Sequence, residues 1–222
     1  MNASSNPKDF SYYQIEKERI IAIIPPGDNR ILDIGCAAGK LGQRLQELGK
    51  ARELIGVEIH EPAVRKAKQF YDAVHLGDVE GLSLPYEDYF DFIVCADVIE
   101  HLRDPWTCLD KFLKYLKPEG SLVATIPNIR HWKIIRDLLF LGKWEYKEAG
   151  IMDNTHLRFF TKRSFETVLE KAGYLITHSE IWLESRRRKF VNTLTFGTLE
   201  ELLGIQILFV AQKLPHDDSI NL

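Results

Sequence analysis

The stretch that decides the fold of this chain is Arg30-Ile31-Leu32-Asp33-Ile34-Gly35-Cys36-Ala37-Ala38-Gly39, an apolar run that ends in an acid and then breaks into small residues. It predicts a buried strand, a tight turn and the start of a helix. Gly35 and Gly39 permit positive φ or a close approach of the backbone to a ligand, and Ala37 keeps the middle of the turn small. In an open α/β sheet, ligands bind outside the carboxyl ends of the strands, so we expect a ligand at this turn.

The spacing of the small residues separates two kinds of nucleotide-binding turn. A dinucleotide site has the pattern Gly-x-Gly-x-x-Gly, whereas this turn has Ala37 at the second position and Lys40 at the third. That weakens a nicotinamide or flavin interpretation. Residues 32–39 instead resemble the first motif of the class I S-adenosylmethionine (SAM) dependent methyltransferases, Asp-x-Gly-x-Gly-x-Gly, with alanine for the middle glycine. Any βα turn of a parallel sheet also favours small residues, so later residues must support this resemblance.

An acid follows the next predicted strand at the distance that such folds use. Glu58 ends a predicted strand over residues 54–58 and comes 25 residues after Asp33. In βαβ folds an acid about 20 residues beyond the turn accepts hydrogen bonds from ribose hydroxyls, since a carboxylate offers two acceptor oxygens at fixed reach. We predict Glu58, with Ile59 beside it, as cofactor contacts. The alternative is a solvated acid before the helix that Pro62 begins.

A third acid follows the predicted third strand, residues 73–76, in the run Gly77-Asp78-Val79. The resemblance implies that Asp78 bonds the adenine amino group while Val79 stacks on the ring. A plain Gly-Asp turn is the alternative. Because acids end each of three successive strands on one edge of the sheet, we predict a single cofactor site there.

The run Asp97-Val98-Ile99-Glu100-His101-Leu102 follows the predicted fourth strand, residues 90–96. It is similar to the corresponding segment of the methyltransferases of ubiquinone and menaquinone biosynthesis. Enzymes that methylate nucleic-acid amines have an Asn/Asp-Pro-Pro-aromatic run there, and this chain has no proline in it. The resemblance therefore implies a small-molecule acceptor and no nucleic acid, and we add Ala96 and Asp97 to the predicted cofactor contacts.

An inserted segment, residues 127–160, is rich in aromatic and basic residues and is predicted to cap the substrate. Part of it, residues 153–161, resembles a segment of bacterial methyltransferases, some of which accompany surface-polysaccharide or secondary-metabolite pathways. A sugar acceptor is therefore one option. If the acceptor is a hydroxyl, His156 and His101 are the candidate general bases, since neutral imidazole accepts a proton near pH 7. A structural role for each histidine is the alternative.

Composition excludes several classes of function. A formal net charge of -3 and a pI near 6.2 give no global attraction to nucleic acid or to an anionic membrane. Cys36, Cys95 and Cys108 form no CxxC pair, so we expect no disulfide scaffold, no metal site and no iron-sulfur cluster. The chain has no apolar run of signal-peptide type at residues 1–9 and none long enough to cross a membrane, which predicts a cytoplasmic protein without a membrane span.

The remaining segments are assigned from their patterns. We expect one domain over residues 1–222, with residues 1–10 disordered and residues 213–222 a mobile tail. A leading helix over 11–24 is predicted either to fold over the cofactor, which would bring Tyr12 and Tyr13 near it, or to pack on the sheet edge. The insertion over 183–204 has a basic run beside apolar residues. It could face a membrane, a phosphorylated acceptor or a partner subunit, or form a solvated turn followed by a packing helix.

The resemblance implies an α/β, Rossmann-like, doubly wound sheet of seven strands in the order 3-2-1-4-5-7-6, with the last strand antiparallel and helices on both faces. It also implies a SAM-dependent methyltransferase acting on oxygen or nitrogen of a small molecule such as a sugar, quinol or secondary metabolite, as a monomer or homodimer. A non-catalytic regulator or assembly protein that binds SAM or its product S-adenosylhomocysteine (SAH) is the alternative, and a dehydrogenase is a further one. The predicted cofactor contacts are Asp33, Gly35, Cys36, Ala37, Gly39, Glu58, Ile59, Gly77, Asp78, Val79, Ala96 and Asp97.

Overall fold

The computed structural model describes residues 18–214, and within them the chain forms one seven-stranded sheet in the order β3-β2-β1-β4-β5-β7-β6. The Rossmann-like class and the strand order are therefore confirmed. The strands are β1 (Arg30–Ile34), β2 (Glu53–Glu58), β3 (Ala73–Leu76), β4 (Phe90–Ala96), β5 (Leu116–Pro127), β6 (Tyr174–Trp182) and β7 (Gln206–Lys213). The helices are α1 (residues 18–23), α2 (Lys40–Glu47), α3 (Glu61–Ala67), α4 (Pro105–Tyr115), α5 (Trp132–Leu141), α6 (Lys162–Lys171), α7 (Arg186–Leu194) and α8 (Glu200–Leu203).

The chain packs as two compact units, Met1–Val79 and Glu80–Leu222. In the first unit β1, β2 and β3 are parallel, as expected where helices connect them. In the second unit β4 and β5 are parallel, and β7 runs antiparallel to both β5 and β6, as predicted. The expectation of a single domain stays a prediction.

The described part of the leading helix packs into the core of the first unit. Ile20, Ile21 and Ile24 are buried, and the ammonium group of Lys50 donates to the carbonyls of Ile21 and Ile24 at the end of α1. The cation thus satisfies carbonyls that have no partner within the helix. Residues 1–10, Tyr12 and Tyr13 lie outside the described residues, so the expectations for them stay predictions.

A buried tyrosine connects the first strand to the helix that follows it. The Tyr71 hydroxyl donates to Asp33 Oδ2 and accepts the backbone N–H of Gly42 at 3.0 Å. Burial, followed by the nearby Asp33 carboxylate, raises the pKa of Tyr71 well above its usual value, so its hydroxyl stays protonated. The contact depends on Gly42, because an added Cβ there would lie 2.4 Å from the Tyr71 ring.

We expect Gly42→Ala to lower the free energy of unfolding by about 1–3 kcal/mol, since the alanine methyl overpacks a filled site. Helix propensity alone would favour alanine by about 1 kcal/mol, so the sign of the change distinguishes the two effects. Urea denaturation measures it. As a control, Tyr71→Phe removes the hydroxyl group without introducing the clash. A Gly42→Ala variant that is as stable as the wild type would contradict the close packing of Tyr71 against Gly42.

Strand β5 starts earlier than the sequence predicts. Residues 117–120 read as a turn before a strand over 121–126, yet β5 begins at Leu116, which pairs with Phe90. The register shifts before Phe92 pairs with Ser121, so the turn residues form an irregularity within the strand. Lys213, the last residue of β7, pairs with Tyr174 and so belongs to the sheet and not to the predicted tail. Residues 215–222 lie outside the described residues, and a mobile tail there stays a prediction.

The two insertions form helices that the core does not cover. No side chain of α5 or α7 is buried. The alternative of a packing helix after the basic run is therefore wrong for α7. Asn128 fixes the start of the cap, because its Nδ2 donates to the carbonyls of Glu201 and Gly204 around α8. Within residues 18–214, no helix combines the length and the apolar character needed to cross a membrane.

His131, the residue that caps the N-terminus of α5, makes the stability of the protein depend on pH. His131 is 3% exposed and its Nδ1 accepts the N–H of Lys133. Burial, followed by the positive charges of Arg188 and Lys133, lowers the pKa of His131 to about 4 from 6.5. The unfolded chain therefore takes up a proton at His131 between these two values while the folded chain does not.

We expect His131 to lower the free energy of unfolding by up to about 3 kcal/mol as the pH falls from 6.5 to 4. Above pH 6.5 it should have no such effect. Urea denaturation of wild type and His131→Asn at several pH values isolates the effect from the titration of carboxylates. The stability of the variant relative to the wild type should rise as the pH falls. A difference that is constant with pH would contradict a buried, neutral His131.

Candidate active site

The turn after β1 presents backbone, and not side chains, at its surface. Gly35, Ala37 and Gly39 have φ of 72°, 48° and 82°, and Gly35 and Ala37 are exposed while Cys36 between them is buried. Because alanine adopts a left-handed φ only with strain, Ala37 occupies a conformation that glycine reaches freely. This is a physical reason for the glycine that the resembled motif has at that position.

Glu58 binds this turn through one carboxylate oxygen and the backbone after β2 through the other. Its Oε2 accepts the N–H of Ala37 at 2.9 Å and its Oε1 accepts the N–H of His60 at 2.8 Å. The side chain is only 7% exposed, so it is held in one orientation. Each carboxylate oxygen accepts more than one hydrogen bond, which leaves acceptor capacity for two hydroxyl groups. Ile59, which follows, is 57% exposed and offers an apolar surface beside the carboxylate.

Two of the predicted contacts in the turn are explained by packing. An added Cβ at Gly39 would lie 2.9 Å from Ala67 Cα, so this glycine lets α2 and α3 approach. The Asp33 carboxylate is 2% exposed and accepts the Tyr71 hydroxyl beneath the turn. A cofactor contact by either residue stays a prediction.

Cys36 faces the core and cannot serve as a nucleophile. Its Sγ lies against Gly56, where an added Cβ would approach it to 2.7 Å. Burial, followed by the nearby carboxylates of Asp33 and Glu58, raises the pKa of the thiol far above its usual value. Only the backbone of Cys36 is therefore available to a ligand at the turn.

The end of β3 is joined directly to the end of β2. The N–H of Gly77 donates to the Glu58 carbonyl at 2.9 Å, and Asp78 and Val79 follow as partly exposed residues. The structure thus brings Asp78 to the strand end next to Glu58. Of the three predicted acids, Asp33 differs, because its carboxylate is buried with Tyr71.

In the second unit, a buried network fixes Asp97 at the end of β4. Gln206 Nε2 donates to both carboxylate oxygens, at 2.8 and 2.9 Å, and the Thr125 hydroxyl donates to Oδ1. The N–H of Asp97 in turn donates to Thr125 Oγ1. Asp97 has a φ of 51°, and these bonds hold it in that strained backbone conformation. Burial raises the pKa of Asp97, whereas the hydrogen bonds from Gln206 and Thr125 lower it in part.

Sequence reasoning missed Thr125 and Gln206, which are both fully buried. Thr125 interrupts the apolar run over residues 122–126, and Gln206 directly precedes the apolar run over 207–211. A polar residue in such a place is a signal for a buried hydrogen-bond partner. The local pattern does not say which partner, since Gln206 is 109 residues from Asp97 in the chain.

The two predicted histidines are in contact. The rings of His101 and His156 are 4.8 Å apart and meet edge to face. Nδ1 of His156 lies 3.1 Å from the Ile151 carbonyl, and Nδ1 of His101 lies 3.2 Å from the Thr155 carbonyl. A carbonyl only accepts, so each neutral ring carries its proton on Nδ1 and has its lone pair on Nε2.

His156 has the surroundings of a proton acceptor. It is 7% exposed, and burial, with a contribution from His101, lowers its pKa, so the ring is neutral at pH 7. Its Nε2 lies 3.9 Å from Oε1 of Glu100, a carboxylate that is 1% exposed. An ionised Glu100 would stabilise a proton gained at Nε2.

Glu100, His101 and His156 each offer one ligand atom, and these atoms lie within 4.8 Å of one another. Carboxylate and imidazole are common metal ligands, so this cluster could hold a divalent cation. The prediction of a metal-free site stays a prediction.

Aromatic side chains of the predicted substrate cap form a cluster that reaches His156 through Phe159. Phe159 contacts the His156 ring at 6.3 Å, the Trp144 ring at 5.3 Å and the Tyr146 ring at 6.1 Å between centroids. Trp144 and Tyr146 are 40% and 53% exposed, so part of this aromatic surface is open. A planar ring would pack against it favourably.

Comparison with known proteins decides the family. A family profile described as a methyltransferase domain matches residues 9–179, which is most of the chain. The chain belongs to this methyltransferase family. The family membership that the motif at residues 32–39 predicted is thus confirmed. The family and the fold imply SAM as the cofactor.

Other members and solved structures agree with this assignment. The ubiquinone biosynthesis O-methyltransferase of Bradyrhizobium diazoefficiens is 34% identical over 84% of this chain and 72% of its own length. That of Nitrobacter winogradskyi is 34% identical over 67% of this chain, which spans 57% of that relative. A SAM-dependent methyltransferase from Archaeoglobus fulgidus shares the fold of this family member, with a TM-score of 0.68 at 21% identity over 91% of this chain and 94% of that one.

Proposed function

We propose that this chain is a SAM-dependent O-methyltransferase that acts on a hydroxyl group of a small aromatic molecule. The observation that carries the proposal is Glu58, which binds the exposed backbone turn at Ala37 through one carboxylate oxygen and orients both. An acid fixed beside such a turn fits the ribose of an adenosine-bearing cofactor. The match to the methyltransferase family supports the same conclusion.

In this proposal Glu58 accepts hydrogen bonds from the two ribose hydroxyls, and Ile59 and Val79 cover the adenine. Asp78 bonds the adenine amino group. The backbone at Gly35 and Ala37 approaches the methionine end, and Gly39, Asp33 and Cys36 support the turn from below. Ala96, Asp97 and Gly77 remain predicted contacts of the same cofactor.

SAM supplies a methyl group that its positive sulfur already activates for in-line displacement, so no protein nucleophile is needed. The residues of this chain bind and orient the reactants and exclude water, which lowers the barrier by several kcal/mol, on the order of 7–11 in well-oriented cases. A hydroxyl acceptor also loses a proton. His156 Nε2 takes that proton, and the Glu100 carboxylate stabilises the resulting imidazolium.

Two observations favour an aromatic hydroxyl over the other acceptors. The His156 ring contacts Phe159, and the Phe159 ring in turn contacts the partly open rings of Trp144 and Tyr146. The curated relatives are named as O-methyltransferases of ubiquinone biosynthesis, which points to oxygen as the acceptor atom. A sugar remains the second candidate, because sugars also stack on exposed aromatic side chains.

Those relatives also support catalysis over a binding-only role as regulator or assembly protein. The cytoplasmic location and the monomeric or dimeric state stay predictions. Cell fractionation and light scattering test them.

Calorimetry with SAH, followed by turnover assays with SAM and a panel of catechols, quinols, sugars and amines, tests the function. We expect SAH to bind and a catechol or quinol to be methylated on oxygen, with mass spectrometry of the product giving the site. SAH binding without turnover on any acceptor would support the binding-only alternative. Absence of SAH binding, or preferential binding of a nicotinamide cofactor, would overturn the proposal.

A further inference from the structure

A groove lies between α5 and the segment of α7 in the second unit. Its volume is about 310 Å³, at the lower end of the range for small-molecule sites. Trp132 of α5 lines it and is 38% exposed, and the other lining residues are Ser185, Arg187, Arg188, Val191 and Leu203. The groove thus combines an aromatic surface with two guanidinium groups, and none of its residues is a predicted contact of SAM.

The cations of this groove are only weakly neutralised by the protein itself. Nη1 of Arg188 lies 3.2 Å from Oε2 of Glu184 and donates to the Leu203 carbonyl at 3.4 Å. Glu184 is 55% exposed, so water screens this ion pair. It is the one acid among residues 184–191, which include the four consecutive cations of residues 186–189. The segment therefore keeps a positive charge that attracts an anion.

Next to the groove, His131 has a buried donor that lacks an acceptor. Its Nδ1 accepts the N–H of Lys133 at 3.3 Å, so the neutral ring carries its proton on Nε2. Nε2 is buried and has no hydrogen-bond partner among residues 18–214. Folded proteins seldom leave a buried donor in this state, because its lost hydration is not replaced. A bound molecule with an acceptor oxygen would supply the missing partner.

The same histidine lies within reach of the charge on Arg188. Burial, followed by the positive charge of Arg188, lowers the pKa of His131. Electrostatic effects fall with distance, so the guanidinium is near enough to the imidazole for one anion to interact with both. The two groups cannot bond to each other, because the free nitrogen of the ring is a donor and a guanidinium only donates. They converge as donors for the same acceptor.

We propose that this α5–α7 groove binds the phosphate group of a small, water-soluble phosphate ester. The phosphate accepts hydrogen bonds from Nε2 of His131 and from the guanidinium groups of Arg187 and Arg188, and it displaces Glu184 from Arg188. A phosphate matches this set better than a carboxylate, since it carries nearly two negative charges and three terminal oxygens. The rest of the molecule lies against the indole of Trp132. Because Nε2 is buried, the phosphate has to enter the protein, as a free small molecule can.

Isothermal titration calorimetry of the full chain with phenyl phosphate tests this site, with inorganic phosphate and benzoate as comparison probes. We expect phenyl phosphate to bind more tightly than inorganic phosphate, because its ring contacts Trp132, and more tightly than benzoate, because its charge is larger. Binding should weaken with salt. Trp132→Ala should weaken the binding of phenyl phosphate and leave that of inorganic phosphate unchanged.

Variants of the polar groups give effects of opposite sign. Arg188→Gln and Arg187→Gln should each weaken the binding of phenyl phosphate about tenfold or more, since charge-assisted hydrogen bonds are the strong ones. His131→Asn keeps an acceptor for the N–H of Lys133 but loses the Nε2 donor, and should weaken binding about two- to tenfold. Glu184→Gln removes the competing carboxylate and should strengthen binding about two- to fivefold.

Arg65→Gln is the matched control, because Arg65 forms the same type of ion pair, with Glu61 four residues earlier, on α3 outside the groove. It should bind phenyl phosphate as the wild type does, and circular dichroism shows that each variant is folded. A wild type that does not bind phenyl phosphate, or binds benzoate more tightly, would overturn the proposal. So would Arg187→Gln and Arg188→Gln variants that both bind like Arg65→Gln. The result does not depend on the proposed function, since no measurement involves SAM or a methyl acceptor.

Discussion

Replacing Glu58 with alanine should weaken SAH binding by about 10²- to 10⁴-fold. The change removes the acceptor of two charge-assisted hydrogen bonds to the ribose, each contributing about 1.5–3 kcal/mol. It also leaves the N–H groups of Ala37 and His60 without their acceptor, which loosens the turn. Isothermal titration calorimetry measures the affinity.

Two companion variants define the result. Glu58→Gln keeps one carbonyl oxygen and should give an intermediate loss. Glu53→Ala, at the opposite end of the same strand, removes a partly exposed acid that pairs with Arg30 and should leave the affinity unchanged. A folded Glu58→Ala protein that binds SAH like the wild type would contradict the proposed cofactor site.

His156→Gln should lower kcat about 10²- to 10⁴-fold with saturating acceptor, because it removes the group that accepts the hydroxyl proton. The affinity for SAH should not change, since the residue acts on the acceptor. The pH profile is a second readout. Because burial lowers the pKa of His156, the wild-type rate should fall only at a pH below the usual pKa range of histidine, where the ring becomes protonated. The rate of the variant should not show this fall.

His178→Gln is the matched control for this prediction. His178 also lies beside a carboxylate, at 3.8 Å from Glu180, but both side chains are exposed on β6. Its loss should leave kcat and the pH profile unchanged. A His156→Gln enzyme with wild-type kcat would exclude the histidine as the base and leave the proton to another group or to water.

The parts of the site that lie close together in the chain could be predicted from it. The turn at residues 35–39 and the acid at Glu58 belong to one βαβ unit, in which glycine spacing and strand length fix the geometry locally. His101 and His156 were named as candidates from their residue type alone. Their contact, and the carbonyls that set their tautomers, depend on how residues 151–155 fold back.

The differences from prediction have a common cause. The Asp33 carboxylate is predicted to contact the cofactor, and in the core it accepts the hydroxyl of Tyr71, 38 residues later. Its cofactor contact stays a prediction. The turn expected at residues 117–120 lies within β5 because β4 pairs on both sides of it. In α7 the apolar residues predicted a packing helix, yet none of the side chains of this helix is buried. Each outcome depends on a partner that is distant in the chain.

The sequence by itself predicted the α/β class of the sheet, because periodicity and turn chemistry act over a few residues. Its resemblance to the methyltransferases implied the order of the strands and the place of the predicted cofactor site. The tertiary structure alone decided which polar groups are paired and which apolar ones stay exposed. Gln206 clamps Asp97, Glu100 lies beside His156, and the end of α5 remains uncovered. Burial and hydrogen bonding between distant segments are fixed only when the whole chain packs.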